Sequence, residues 1–204
     1  MKLYYSPGAC SLSPHIVLQE AGLPFQTIKA DTKTKVLPDG TDYKTINPLG
    51  YVPLLELDDG TRLTEGPAIV QYIADKAPNS KLAPAHGTHE RYQLQEWLNM
   101  LTSELHKSFS PLFNPAMPDE AKNIFRDKLG KAFGHIDSKL AGQDYLMGKQ
   151  FTVADGYLFT MLRWAVGLKF DLGQHPNLKA YFDRVGERPK VKEAMVAEGL
   201  IKAA

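Results

Sequence analysis

A single cysteine, Cys10, stands where the run MKLYYSPGAC gives way to the helical pattern that follows. At a helix start the positive dipole end and nearby amides favour thiolate over thiol. An ordinary cysteine, with a pKa of about 8.5, is only a few per cent ionised at neutral pH. The competing reading is a small inert core residue, as lone cysteines often are. One cysteine excludes an internal disulfide, a CxxC dithiol cycle and a cysteine zinc cluster, so any thiol chemistry must borrow its second sulfur.

Three other groups of residues have chemistry to offer. Val52-Pro53 follows Asn47-Pro48-Leu49-Gly50. A cis bond there would leave the Val52 amide and carbonyl open to an extended peptide, although only about 5% of X-Pro bonds in folded proteins are cis and the sequence by itself favours trans. Glu65-Gly66-Pro67 opens a helix, so the Gly66 amide belongs to an anion-binding helix start while Glu65 beside it suits an ammonium group; the simpler role for Glu65 is a capping acid. Asn99, Ser103 and His106 are spaced by four and three residues and share one face if the segment is α-helical. His106 and Lys107 together would offer two donors to a developing thiolate, against the simpler role of a hydrogen-bonded structural histidine.

Other candidates are poorer. His86 and His89 fall in or beside a Gly/Pro-rich connector with no third ligand in sight, so no metal is expected. Tyr4 and Tyr5 suit opposite faces of a core strand. Trp164 fits core packing and could also line an apolar pocket.

The elements that must position these residues follow from periodicity. KLYYS (2–6) and FQTIKAD (25–31) read as strands flanking a helix at PHIVLQEAGLP (14–24), which has Pro14 in its first turn and stops at Gly22. VPLLELDDGTRLTEG (52–66) reads as two strands around an Asp-Asp-Gly turn, and PAIVQYIADKA (67–77) as a helix. The order βαβ, loop, ββα predicts a mixed four-stranded sheet of thioredoxin-like type with helices packed on it. NSKLAPAHG (79–87) reads as a connector. Beyond it, Leu94, Leu98, Leu101, Leu105 and Phe109 form one stripe on a long helix, and Phe125, Leu129, Ile136 and Leu140 mark another at 118–140. FTVADGYLFTMLRWAVGL (151–168) is the most apolar helix, with Thr152 and Asp155 spaced as a capping box that serves folding. Two shorter helices run from Pro176 to Gly186 and from Pro189 to Glu198. The expected domains are therefore 1–79, α/β, and 88–204, all-helical.

Composition sets the outer bounds. The 204 residues carry 24 Lys+Arg against 23 Asp+Glu, so a formal charge of +1 gives no overall attraction for nucleic acid. With 43% hydrophobic and 23% charged residues, a folded globular chain is expected rather than disorder or a fibrous repeat. No apolar run approaches the roughly 20 residues needed to cross a bilayer, and the first ten residues lack a secretory signal's apolar stretch, so a cytoplasmic location and no membrane partner are expected.

The segments KLYYSPGACSLSPHI, NPLGYVPLLELDDG, RLTEGPAIVQYIAD, WLNMLTSELHKSFSPLF and FTVADGYLFTMLRW, in this order and spanning essentially the whole chain, resemble a bacterial beta-class glutathione S-transferase. The resemblance implies a thioredoxin-like domain followed by a helical one, and an enzyme that conjugates glutathione, as co-substrate, to hydrophobic electrophiles in detoxification or catabolism. It implies no permanently bound cofactor. By the same resemblance Cys10 and His106 bracket the glutathione sulfur, Lys35 meets the glycyl carboxylate, and Val52 pairs with the cysteinyl backbone beside a cis Pro53. Glu65 and Gly66 hold the γ-glutamyl end. Asn99, Ser103 and Glu104 complete that site, part of the helix being contributed across a homodimer interface. Relatives often carry Ser or Thr at the position of Gly66, so here only the backbone amide remains. Donors aimed at the sulfur lower the cost of ionising it near neutral pH. The electrophile is expected in an adjoining apolar pocket touching Phe109, Phe113, Trp164 and Lys107, where proximity adds to the rate.

Other chemistries remain open on these residues. Cys10-x-x-Ser13 matches a monothiol glutaredoxin pattern, so a Cys10 mixed disulfide with glutathione would support thiol transfer or peroxide reduction. Dehalogenation of a pathway intermediate is a further activity of such relatives. A non-catalytic binding module on the same fold is the third reading.

Overall fold

The computed structural model describes residues 1–202. In chain order the elements are β1 (Lys2–Tyr5), α1 (Leu12–Ala21), β2 (Gln26–Lys29), β3 (Leu54–Glu56), β4 (Arg62–Thr64), α2 (Gly66–Lys76), α3 (His89–Met100), α4 (Lys107–Phe113), α5 (Asp119–Lys139), α6 (Val153–Gly167), α7 (Pro176–Gly186) and α8 (Pro189–Ala197). They form two compact units, Met1–Ala83 with Glu187–Ala204, and Pro84–Gly186.

The first unit is built on a four-stranded sheet in the order β2-β1-β3-β4. β1 pairs parallel with β2 and antiparallel with β3, which pairs antiparallel with β4. This is the mixed, thioredoxin-like sheet that the strand-helix-strand segment and the Asp-Asp-Gly turn require. Gly22 ends α1 in the left-handed region, at φ 64°, its amide returning to Gln19. Successive residues of β1 serve opposite faces: Leu3 is fully buried, and Tyr4 joins Ala30, Leu37, Tyr43, Val52 and Leu54 in a second cluster. The long connection from β2 to β3 thus covers one face of the sheet and ends at Val52.

The last helix, α8, belongs to this first unit, not to the helical one that the 88–204 boundary assigned it to. The reason is its side chains. Val191, Ala194 and Met195 are buried, and Arg188 at its start makes a two-pronged ion pair with Glu20 of α1, at 2.7 and 2.8 Å.

The second unit is all-helical. Residues Val153–Leu162 of α6 are buried without a break, as expected of its most apolar helix. Leu129, Phe133, Ile136 and Leu140 of α5 and its end are buried, whereas Phe125 is only half-buried.

The single long helix expected after residue 88 is interrupted. Residues Leu101–His106 form a π-helical segment between α3 and α4, and the Lys107 amide reaches back five residues to the Thr102 carbonyl. Thr102 Oγ1 donates to the Leu98 carbonyl at 2.8 Å, the acceptor that an α-helical Thr102 amide would use. The leucine stripe is nevertheless kept: Leu94, Leu98, Leu101, Leu105 and Phe109 are all buried.

Candidate active site

In the first unit, the loop ahead of α1 meets the segment ahead of β3, and Lys35 from the connection after β2 lies against that same segment. Cys10 is half-buried and makes no disulfide. Its thiol donates to the Val52 carbonyl at 3.2 Å, so that carbonyl is engaged rather than open. The Val52–Pro53 bond is cis, as the resemblance implied and against the sequence's bias toward trans. The residue before Val52 is fixed by two donors to the Tyr51 carbonyl, Tyr43 Oη and Asn47 Nδ2, both at 2.8 Å. Burial pushes the Tyr43 phenol up to about 12, so it stays a donor.

Lys35 lies against the same segment. Its Nζ donates to the Gly50 carbonyl at 2.8 Å and sits 5.8 Å from the Tyr51 ring centroid. A Cβ on Gly50 would stand 2.9 Å from Lys35 Cδ, and φ at Gly50 is 63°, so glycine is needed for both the turn and the lysine's path. Glu65, exposed and just ahead of α2, adopts φ 66° without being glycine. A carboxylate held in the left-handed region costs energy that ordinary packing does not require, and such outliers cluster at functional positions. No side chain caps α2, and Gly66 is its first residue.

The loop bearing Cys10 is tied from two sides. Ser11 Oγ accepts the Ser6 amide at 3.1 Å and donates to the Ser6 carbonyl. Glu198, just past α8, accepts the Gly8 amide with one oxygen at 2.9 Å and lies 2.8 Å from His15 Nδ1 with the other. Neither His15 nor Glu198 stands out in the sequence, because their partnership spans the chain and no local spacing signals it.

In the second unit, the inserted π turn separates residues that α-helical spacing had placed together. Asn99 and Ser103 are exposed, whereas His106 is half-buried. Nδ1 of His106 lies 2.6 Å from Tyr157 Oη, and Trp164 packs edge-on at 5.1 Å between ring centroids. Burial, and secondarily the Lys107 charge, lower the imidazole pKa to about 4, so His106 is neutral near pH 7. Glu104 pairs with Lys128 at 3.1 Å, which holds its carboxyl below the usual range. Lys107 is exposed at the start of α4.

The aromatic residues divide by exposure. Phe113 is 52% exposed and Trp164 half-buried, with their rings 5.4 Å apart. Phe109 is fully buried among Phe113, Phe133, Trp164 and Phe170 and therefore backs the array from inside, instead of presenting a face to a ligand as expected.

A mixed thioredoxin-like sheet with a cysteine at its first helix start, a cis proline at the head of the third strand and a following all-helical unit define the class of protein. Two family models cover most of the chain: the N-terminal domain of glutathione S-transferases at residues 8–76 and their C-terminal domain at residues 100–189. Glutathione S-transferase GstA of Escherichia coli O157:H7 is 46% identical over 200 residues, 98% of this chain and all of that one. A sphingomonad glutathione S-transferase solved in complex with glutathione has a TM-score of 0.95 and 47% identity, covering 98% of this chain and 100% of its own. The beta-class glutathione S-transferase of Sphingomonas chungbukensis gives 0.95 and 48%, with the same coverage. The chain belongs to the glutathione S-transferase family, in its bacterial beta class.

Proposed function

We propose that this enzyme conjugates reduced glutathione to hydrophobic electrophiles, in detoxification or catabolism. The observation that carries the reading is the convergence of Cys10, the Val52–Pro53 segment and Lys35 in the first unit, with Cys10 Sγ 3.2 Å from the Val52 carbonyl. Cys10 acts as a hydrogen-bond donor to the glutathione sulfur, consistent with the S–H it directs at a carbonyl. The Val52 amide, ahead of Pro53, takes the cysteinyl backbone, Lys35 the glycyl carboxylate, Glu65 the γ-glutamyl ammonium, and the Gly66 amide its carboxylate.

From the helical unit, His106 supplies a further donor to the sulfur, and Asn99, Ser103 and Glu104 extend the γ-glutamyl site. Phe113, Trp164 and Lys107 offer contact to the electrophile. Exposed Tyr92, Asn99 and Ser103 on α3 and the following turn suit a homodimer interface. We place the enzyme in the cytoplasm, where glutathione is kept reduced. Conjugation of a halonitroarene in the presence of glutathione tests the reading, with calorimetry on the same sample. Saturable glutathione binding with no turnover across several electrophiles would remove the conjugation claim.

A second reading rests on Cys10 alone. Half-buried and at a helix start, it suits a mixed disulfide with glutathione that supports thiol transfer or peroxide reduction. Intact mass after treatment with oxidised glutathione decides it, since an unmodified Cys10 leaves that chemistry without an intermediate.

A further inference from the structure

We propose that Tyr43 and Asn47 are positioning residues for glutathione: by gripping the Tyr51 carbonyl they aim the Val52 amide, the other end of the same peptide unit, at the cysteinyl carbonyl of the ligand. The proposal deepens the glutathione-binding role given to Val52 above and rests on that reading for the identity of the ligand.

A peptide unit is planar, and in the trans form its C=O and N–H point in opposite directions. The Tyr51–Val52 unit is of this kind, the cis bond being the next one along. Tyr43 Oη and Asn47 Nδ2 each donate to the Tyr51 carbonyl at 2.8 Å, enough to occupy both of its lone pairs. Turning the plane would break both bonds at once. The Val52 N–H is therefore held pointing away from these two donors. Hydrogen bonds at the carbonyl also polarise the unit and strengthen what its N–H can donate, by about 10–30% per bond.

Both donors are themselves fixed. Tyr43 is fully buried, its ring stacked on Tyr4 with centroids 5.6 Å apart, and its amide donates to the Lys35 carbonyl at 2.7 Å. Burial pushes its phenol up to about 12, so near neutral pH it keeps the proton it gives to Tyr51. Asn47 is buried as well. Its amide reaches the Tyr43 carbonyl at 2.9 Å, and its Oδ1 accepts the Leu49 amide at 3.3 Å, which turns Nδ2 toward the Tyr51 carbonyl. A flipped side chain would set oxygen against oxygen.

The neighbouring acceptors are engaged in the same way. Lys35 Nζ holds the Gly50 carbonyl at 2.8 Å and Cys10 Sγ the Val52 carbonyl at 3.2 Å, so the consecutive carbonyls of Gly50, Tyr51 and Val52 are each bound by a side chain. Pro53 has no N–H to offer. The segment thus meets a ligand as a donor, and the group that suits it is a peptide carbonyl in an extended chain. Tyr43 and Asn47 act through Val52.

The test pairs two variants with two ligands. Glutathione is compared with an analogue whose cysteinyl–glycyl amide is replaced by an E-alkene, which keeps the shape and removes the carbonyl. Calorimetry on Tyr43→Phe and Asn47→Ala should show the glutathione Kd rising about fivefold in each, the worth of one hydrogen bond, while the analogue's Kd stays within about twofold of its value for the unaltered protein. KM for glutathione should rise by the same factor with kcat nearly unchanged. Either variant leaves the Tyr51 carbonyl one donor, so both are expected to fold. Equal loss of affinity for the two ligands, or loss for neither, overturns the proposal. If both variants fail to fold, the unaltered protein labelled with 15N decides: its Val52 amide proton should move downfield with glutathione and stay in place with the analogue, and a shift with both or with neither overturns the proposal. A protein that binds glutathione in this pattern but turns over no electrophile supports the proposal and overturns only the conjugation reading, whereas one that binds no glutathione overturns both.

Discussion

The starts of α1 and α6 face the same physical problem, four unpartnered amides and the positive end of a dipole, and resolve it in opposite ways. At α6 the fully buried carboxylate of Asp155 takes the Thr152 amide at 2.7 Å, the Thr152 hydroxyl, the Leu146 amide at 2.9 Å and the Tyr181 hydroxyl at 3.0 Å. At α1 no side chain caps the helix and no acid occupies the first turn; Ser11 turns its hydroxyl back to Ser6 instead. α2 is likewise uncapped, while α3 in the helical unit is capped by Thr88. A capped start has its dipole answered by the protein and serves folding. At α1 and α2 that field stays open, which suits the sulfur and the carboxylate that the proposed function brings there.

The largest expected effect breaks the capped end. Asp155→Ala leaves the Thr152 amide and hydroxyl and the Leu146 amide without that acceptor, while the Tyr181 hydroxyl keeps the Asp155 backbone carbonyl at 3.2 Å; it should cost about 3–5 kcal/mol, a fall of roughly 10 °C in thermal midpoint read by calorimetry. A midpoint unchanged within about 2 °C would show that the Asp155 bonds contribute nothing net. The uncapped end should respond in the other currency. Cys10→Ala should reduce thiol transfer at least about a hundredfold and conjugation by less than about tenfold, with stability nearly unaltered. Equal loss of both activities would mean Cys10 has one role in both.

Acid separates two buried groups within the helical unit. Burial raises Asp155 to about 6, above its unfolded value near 3.9, so its contribution is greatest below pH 4 and is lost as pH rises through 6. His106 lies at about 4, below its unfolded value near 6.5, so its contribution is present above pH 6.5 and lost as pH falls through 4. The two slopes oppose one another over nearly the same window. Urea midpoints of the parent and His106→Asn, compared from pH 7 to pH 4, isolate the histidine. The parent should lose stability relative to the variant as pH falls; a constant difference would place His106 in solvent.

What could be read from the sequence followed from local rules. Strand alternation, the Asp-Asp-Gly turn, Gly22 and the Thr152/Asp155 spacing each act within a few residues, and each element they predict is present. Most of the departures depend on distant partners. α8 packs with the first unit through Arg188 and Glu20, the Cys10 loop is held by Glu198, and Phe109 lies too deep to face a ligand. The π turn is the most instructive departure. Asn99, Ser103 and His106 were grouped by counting in α-helical turns, and one inserted residue, favoured by the Thr102 back-bond, puts His106 in a different environment from the other two. Tyr157 was invisible for a related reason: in an apolar helix nothing distinguishes a packing tyrosine from one whose hydroxyl has a partner.

The smallest effects sharpen the comparison most, because two hydroxyls of similar size stand at helix starts with different duties. Thr88 Oγ1 accepts the Arg91 amide at 3.2 Å and caps α3, whereas Ser11 Oγ bonds to Ser6, bracing the loop that carries Cys10. Removing either hydroxyl should cost about 1 kcal/mol of stability. Their effects on turnover should differ. Thr88→Ala leaves the geometry of Cys10 untouched, so kcat/KM should stay within about twofold, while Ser11→Ala frees the Ser6–Cys10 turn and should lower it about three- to tenfold through loss of orientation. Matched stabilities with unequal rates would show that a hydroxyl at the uncapped start serves the site and one at the capped start serves the helix. Equal rates would remove that distinction.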